Sequence, residues 1–267
     1  IGPALLAPYA KLRGLKVVFT HHGPDYDRDK WGRAAKAMLR LGERMGCRYA
    51  DAVIVISDVI RRIVSERYGR TKGVYLIPNG VPAPVFRDEP DYFASLGIEK
   101  GKYILGMCRF VPEKRLQDLV AACRGLSGYR LVLAGDTDFE DDYSRKLKAD
   151  AAAAGVVLTG YVRGAQREAL LSAAACYVLP SSHEGLPIAL LEAMSYRRKV
   201  LVSDIPANLE VGLAAENYFP CGDVAALRRG LEALLAQPRE EVDYDMARYD
   251  WERIADQVKE VYEQQDI

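Results

Sequence analysis

Short apolar runs alternate with segments of helical period along the whole chain. Lys16–Thr20, Ala52–Ile56, Gly73–Ile77, Tyr103–Cys108, Arg130–Ala134, Val156–Leu158, Cys176–Leu179 and Lys199–Ser203 are rich in Val, Ile and Leu. They lack the polar alternation of half-exposed strands, and so predict strands buried on both faces. Between them, apolar positions recur at the helical period. This predicts helices over Arg33–Arg48, Asp58–Tyr68, Leu116–Gly125, Asp141–Ala154, Ala165–Ala175, Pro187–Arg197 and Val224–Ala236. Strand–helix alternation of this kind predicts an α/β fold with parallel sheets.

The rhythm breaks at Pro78–Pro90, where Pro78-Asn79-Gly80-Val81-Pro82-Ala83-Pro84 is turn and linker chemistry. Charge changes sign at the same place. Residues 1–84 carry 15 Lys and Arg against 7 Asp and Glu, whereas residues 85–267 carry 22 against 30. The two halves are therefore expected to face different partners. We expect a first domain over 1–84, a second over 85–248, and a last helix over 249–267, with Trp251 in it. The second segment is long enough for a complete doubly wound domain. The first has only three predicted strands and is expected to be incomplete at its start.

Composition narrows the classes further. At 49% hydrophobic and 28% charged residues, the chain can bury a core and remain water-compatible. No run of about 18 apolar residues is present, and no charged-then-apolar leader, so neither a membrane span nor secretion is expected. Cys47, Cys108, Cys123, Cys176 and Cys221 form no C-x-x-C pair, which argues against zinc and redox sites and for reduced thiols in a cytoplasmic chain.

The richest stretch runs Pro180-Ser181-Ser182-His183-Glu184-Gly185-Leu186-Pro187-Ile188-Ala189-Leu190-Leu191-Glu192-Ala193-Met194. A predicted strand enters a small-residue turn and then a helix whose first turn suits Pro187. Free N–H groups at such a helix start favour an anion. Glu184 precedes the helix and Glu192 lies inside it, so one carboxylate can sit near the anion and the other further along the ligand. Taken singly, each glutamate is more simply a solvated charge. A second element places Arg109 at the end of the strand Tyr103–Cys108, followed by Lys114 near a helix start. Two such cations can converge on one diphosphate and neutralise a leaving group without a metal.

Together these stretches resemble the Glu-x7-Glu signature of retaining family-4 glycosyltransferases. The resemblance implies the GT-B fold: two Rossmann-like domains with parallel sheets facing a cleft. It implies transfer of a sugar from a nucleotide-sugar donor to a glycan or lipid-linked acceptor hydroxyl, with retention of configuration. The leaving phosphate itself takes the acceptor's proton, and neither a cofactor nor a metal is expected. By the same resemblance Glu184 lies beside the donor sugar, Glu192 binds the ribose hydroxyls, and Arg109 and Lys114 hold the phosphates. Gly160, Tyr161 and Val162 match the base-binding turn, and Gly185, Leu186 and Pro187 complete the donor-binding positions. In Val17-Val18-Phe19-Thr20-His21-His22-Gly23, His22 matches the histidine that reaches the donor sugar, with His21 as its neighbour.

Other features adjust this picture. Asp136-Thr137-Asp138 could pass for a D-x-D metal motif, but its place after the strand Arg130–Ala134 matches a loop of the family. Lys30-Trp31-Gly32 and Ser203-Asp204-Ile205-Pro206-Ala207-Asn208 resemble a bacterial polysaccharide subgroup that includes rhamnosyltransferase-like enzymes. Where the family has a Gly and a Pro after its L-E-A-M, this chain has Arg197 and Lys199, which predicts an altered loop shape. In the helix Arg33–Arg48, Arg33, Lys36, Arg40, Arg44 and Arg48 share one face, broken mainly by Glu43, with Ala34, Met38, Leu41, Gly42 and Met45 opposite. The stripe predicts contact with anionic lipid at the inner face of the cell membrane, and without interleaved aromatics it does not predict nucleic acid. A dehydrogenase is disfavoured because no strand leads into G-x-G-x-x-G. The alternative to an enzyme is a module that holds a nucleotide sugar without turnover.

Overall fold

The computed structural model describes residues 1–24, 26, 32–238 and 241–265. The chain divides into two units, one made of Ile1–Gly80 with Ala247–Ile267 and the other of Val81–Met246.

In the first unit, a 3-10 turn at Gly2–Leu6 leads into α1 (Ala7–Leu12), β1 (Val18–His21), α2 (Arg33–Tyr49), β2 (Ala52–Val55), α3 (Asp58–Tyr68) and β3 (Val74–Leu76). The strands pair in parallel in the order β1-β2-β3, with Thr20 opposite Ile54 and Ile54 opposite Tyr75. Every residue of β2 is buried, which is why it reads as an unbroken Ala-Val-Ile-Val run. Helix α3 starts where the Ser57 hydroxyl accepts from the Ile60 N–H at 3.3 Å, and it ends at Gly69 in the left-handed conformation.

Helix α2 packs differently from its apolar pattern. Met38 and Leu41 are 55% and 48% exposed, and the buried positions are Gly42, Glu43, Gly46 and Cys47. A Cβ on Gly42 would stand 2.6 Å from the Ile1 carbonyl oxygen, and one on Gly46 would stand 2.7 Å from the Phe19 ring. The helix lies so close to the N-terminal turn and β1 that only glycine fits there. Glu43 therefore does not interrupt the basic face; it points into the protein, where His21, Tyr26 and Tyr68 bond it.

The second unit begins with α4 (Pro90–Leu96) and continues through β4 (Tyr103–Met107), α5 (Leu116–Cys123), β5 (Arg130–Ala134), α6 (Asp142–Ala153), β6 (Val157–Gly160), α7 (Gly164–Ala173), β7 (Cys176–Leu179), α8 (Ile188–Ser195), β8 (Lys199–Ser203), α9 (Pro206–Leu209), β9 (Tyr218–Phe219) and α10 (Val224–Ala236). All six strands are parallel, in the order β6-β5-β4-β7-β8-β9. Ile104, Leu133, Val178 and Leu201 of the sheet pack with Leu119, Leu147 and Leu231 of the helices in one apolar core. Short α1, α4, α9 and the two-residue β9 were absent from the sequence expectation, being too brief to show a period.

The chain then returns to the first unit through α11 (Trp251–Glu263), capped by the Asp250 carboxylate on the Glu252 and Arg253 N–H groups. Ile254 and Val261 of α11 pack on Ala52, Ile54 and Ile77. The indole of Trp251 closes over Gly80, where a Cβ would come within 2.7 Å of the ring. That contact places Gly80 with the first unit, so the division falls before Val81 rather than at residue 85.

Candidate active site

In the six-stranded sheet, the chain turns back across the sheet between β4 and β7. Neighbouring loops diverge at such a point, leaving a crevice at the strand C-termini. Both motif stretches arrive there, one from β4 and one from β7.

The β4 loop is tied to its neighbours through backbone. The Cys108 N–H donates to the Ala134 carbonyl at 3.1 Å, the Phe110 N–H to Asp136 at 2.9 Å, and the Gly135 N–H to Gly160 at 2.8 Å. Gly135 has φ +133°, and a Cβ there would lie 2.0 Å from the Cys108 carbonyl oxygen. Past Arg109, a 3-10 turn at Pro112–Lys114 and a left-handed Arg115 (φ +49°) bring the chain into α5. The Ser182 N–H donates to the Glu113 carbonyl at 2.8 Å, fastening the β7 loop to this turn.

The result is an ion pair between the two motifs. The Lys114 Nζ stands 2.6 Å from Glu184 Oε1, with side chains 16% and 9% exposed. Arg109 makes a longer contact, 3.5 Å from Asp138 Oδ2, and the Tyr161 hydroxyl donates to the other Asp138 oxygen at 3.2 Å. Asp136 faces elsewhere and accepts from Lys148 at 2.8 Å and from the Thr137 N–H. Burial raises the Asp136 carboxyl, but those bonds outweigh it and hold it below the usual carboxylate range.

Glu192 lies in α8, which starts at Ile188 with Pro187 just outside as its cap residue. Its side chain is 17% exposed and 3.2 Å from the guanidinium of Arg167 in α7. Burial pushes the Glu192 carboxyl upward, with Arg167 opposing. Arg167 was not found from the sequence, because a lone Arg in an amphipathic helix carries no spacing signal. Its Nε is buried with no hydrogen-bond partner among the described residues. Gly160 (φ +68°) ends β6 and half-exposed Tyr161 and Val162 follow it, while Gly185 and buried Leu186 lead toward α8.

A second support lies behind the β7 loop. The Ser203 hydroxyl donates to the Ser181 carbonyl, and Asn208 Nδ2 donates to the Ser203 carbonyl at 2.9 Å. The Ser203–Asn208 stretch thus braces the loop that carries Glu184. Lys30 and Trp31, which share that subgroup likeness, lie outside the described residues. After α8, Arg197 adopts the left-handed conformation usual for glycine (φ +58°), and its guanidinium reaches Glu241 at 2.7 Å and also Asp243. Lys199 is buried, with Nζ donating to the carbonyls of Leu234, Gln237 and Pro238.

In the first unit, β1 ends at His21, and His22 follows it as an exposed side chain. The Gly23 N–H donates to His21 Nδ1 at 3.0 Å, so the proton sits on Nε2, which faces Glu43 Oε1 at 2.6 Å. Tyr26 donates to the other Glu43 oxygen at 2.8 Å. No helix among the described residues is long and apolar enough to cross a membrane.

Comparison with known proteins adds to this geometry. Residues 88–251 match the family described as glycosyl transferases group 1, and residues 1–83 match glycosyltransferase family 4. Phosphatidyl-myo-inositol mannosyltransferase of Mycobacterium leprae is 30% identical over 224 residues, covering 79% of this chain and 58% of the relative. GDP-mannose:cellobiosyl-diphosphopolyprenol alpha-mannosyltransferase of Komagataeibacter xylinus is 29% identical, covering 82% of this chain and 56% of the relative. The chain therefore spans less than two thirds of the length of these relatives. The structure of Anabaena HepE with UDP and glucose superposes with a TM-score of 0.84 at 19% identity, over 98% of this chain and 76% of that one. That likeness establishes the fold, GT-B with two Rossmann-like units, as the sequence leads one to expect.

Proposed function

The chain belongs to the group 1 glycosyl transferases, and on that footing we propose that it transfers a hexose or deoxyhexose from a nucleotide sugar to an acceptor hydroxyl with retention of configuration. The observation that carries this reading is the meeting of Lys114 with Glu184, and of Glu192 with Arg167, in loops and helices that follow the strands of one sheet. Cations for a diphosphate and a carboxylate for ribose are thereby grouped within one unit. The named activities of the mannosyltransferase relatives, and the UDP held by HepE, support the same donor class.

In this reading Lys114 and Arg109 neutralise the diphosphate as its bond to the anomeric carbon breaks. The acceptor oxygen bonds to that carbon on the same face, and its proton passes to the departing phosphate oxygen. Glu184 accepts from the donor-sugar hydroxyls and Glu192 from those of the ribose. Gly160, Tyr161 and Val162 line the base, and Gly185, Leu186 and Pro187 lie along the donor. His22 is assigned to the donor sugar on the family resemblance alone. With two cations provided for the phosphates, no metal is required.

We assign the acceptor to a bacterial cell-surface glycan or lipid-linked glycan, made by a chain that sits peripherally on the inner membrane face. Exposed Arg33, Arg40 and Arg44, partly exposed Lys36, and apolar Met38 and Leu41 beside them support that placement. The test is product analysis by mass spectrometry and NMR with a panel of nucleotide sugars and lipid-linked acceptors. An α-linked product from an α-linked donor supports the reading. Donor binding without transfer to any acceptor favours a nucleotide-sugar-holding module instead.

A further inference from the structure

The C-terminal half of the basic face of α2 does not end on an open surface. Arg44 and Arg48 line a cavity of about 800 Å³ together with Arg67 and Tyr68 at the end of α3 and Gly69, Arg70, Thr71 and Lys72 of the following loop. Both helices run back from the strand C-termini, and Tyr68 of the cavity lining bonds the Glu43 carboxylate that His21 also bonds, so this side chain and Glu43 stand between the cavity and His21. Five cations line it, and no Asp or Glu is among its described lining residues.

Local structure accounts for some of this charge. Arg70 Nη1 donates to the Cys47 and Ala50 carbonyls at 3.0 and 2.7 Å and its Nη2 to Asp51 at 2.9 Å, so Arg70 caps α2 and is spent on backbone. Arg67 gives one donor to the Tyr26 hydroxyl and has no carboxylate partner among the described residues. Cations near helix C-termini are also favoured by the helix dipole. What remains unexplained is Arg44, Arg48 and Lys72, which have no carboxylate partner among the described residues. Glu43 lies beneath, but Tyr68 covers it and its oxygens are already bonded by His21, Tyr26 and Tyr68. Cys47 on the floor is a neutral thiol, pushed up to about 12 by burial and the Glu43 charge. Like charges concentrated in a concave site repel one another unless an anion joins them.

We propose that this cavity binds a phosphate or diphosphate group, held by Arg44, Arg48, Arg67 and Lys72 with the Thr71 hydroxyl. Forked guanidinium donors and a mobile ammonium match tetrahedral phosphate oxygens. The cavity is separate from the Lys114 site, and the inference does not depend on the transferase reading.

The test uses inorganic pyrophosphate in calorimetry, on Lys114→Ala protein so that the donor-site cation does not contribute. Pyrophosphate binding is expected, weakened roughly tenfold or more in Arg44→Gln/Arg48→Gln/Lys72→Gln, since hydrogen bonds to charged groups are being removed. An unchanged melting temperature of the ligand-free triple variant would show that the fold survives. A second arm measures flotation with phosphatidic acid and phosphatidylcholine vesicles. Binding to the former that the triple substitution abolishes and pyrophosphate competes identifies a lipid headgroup as the source. Binding of pyrophosphate alone identifies a soluble phosphate. If neither probe depends on Arg44, Arg48 and Lys72, the cavity is not a phosphate site and the proposal is overturned. A substituted chain that fails to fold is replaced by the single variants Arg48→Gln and Lys72→Gln, judged by the same two probes.

Discussion

The ammonium of Lys114 is held 2.6 Å from the carboxylate of Glu184, and both side chains are largely out of water. On the proposed function, the cation for the donor phosphates is thus bound by the carboxylate for the donor sugar, and ligand binding shares it between them. Glu184→Gln is expected to tighten binding of a nucleoside diphosphate several-fold, because the lysine loses its competing anion. The same change is expected to lower transfer from the nucleotide sugar sharply. Lys114→Ala is expected to weaken the diphosphate by about 1.5–3 kcal/mol, the range for hydrogen bonds to charged groups. Calorimetry alongside initial rates checks both; a diphosphate affinity indifferent to either substitution would remove Lys114 from the site.

Glu192 yields a pH dependence. Burial raises its carboxyl and Arg167 opposes the rise. In the proposed role the ionised form is the better acceptor for two ribose hydroxyls, so affinity for a ribonucleoside diphosphate is expected to fall as pH drops through that raised value. Arg167→Gln removes the opposing charge, so the midpoint of the loss is expected to move to higher pH. Stability runs in the other direction. A carboxyl raised in the folded state contributes most when protonated, and that contribution is lost as pH rises through the folded value. Binding titrations across pH, with a dideoxyribose analogue as control, decide the matter: a midpoint that Arg167→Gln leaves in place would contradict the pairing.

Glu43 behaves in the opposite sense. Burial raises its carboxyl, but bonds from His21, Tyr68 and Tyr26 outweigh that and hold it below the usual range. A depressed carboxyl contributes stability above its ordinary value, and that contribution disappears as pH falls through the folded one. Glu43→Ala is expected to destabilise the fold at neutral pH by about 1–3 kcal/mol for each buried donor it leaves unpaired among His21, Tyr26 and Tyr68. The gap between wild type and variant is expected to narrow in acid. Urea unfolding at several pH values measures it, and a constant gap would mean that Glu43 is not ionised in the native state.

Much of this architecture can be read directly from the chain. The eight strands with a clear Val, Ile and Leu signature stand close to their expected positions, because burial on both faces leaves continuous apolar runs. The helix starts at Asp58 and Val224 follow Ser57 and Asp223, residues whose side chains cap them. What escaped was packing that runs against pattern. Glycines 42 and 46 and a buried carboxylate, rather than Met38 and Leu41, form the inner face of α2, since tight approach outweighed apolar area. Arg167 escaped because its partner, Glu192, sits on another helix. Arg197 departs from the family's glycine, yet its backbone takes the left-handed turn expected of glycine, with ion pairs to Glu241 and Asp243 alongside.

Two glycines in the second unit separate a steric requirement from a conformational one. Gly160 has φ +68° with open space where a Cβ would go, whereas Gly135 has φ +133° and the Cys108 carbonyl oxygen 2.0 Å from that position. Gly160→Ala is therefore expected to cost only the left-handed penalty, about 1–2 kcal/mol. Gly135→Ala adds a backbone collision that no side-chain rotation relieves. It must push the β4 loop away from β5, and that loop carries Arg109 and the turn to Lys114. The expected result is a destabilisation well beyond that of Gly160→Ala, with diphosphate affinity reduced in whatever folded protein remains. Thermal unfolding of both variants and calorimetry on the folded fraction provide the comparison. If the two substitutions cost the same, the close approach of Gly135 to Cys108 is not what fixes the Arg109 loop. If Gly135→Ala loses stability while keeping full affinity, the loop is held from the β7 side, through Ser182 and Glu113, and not from β5.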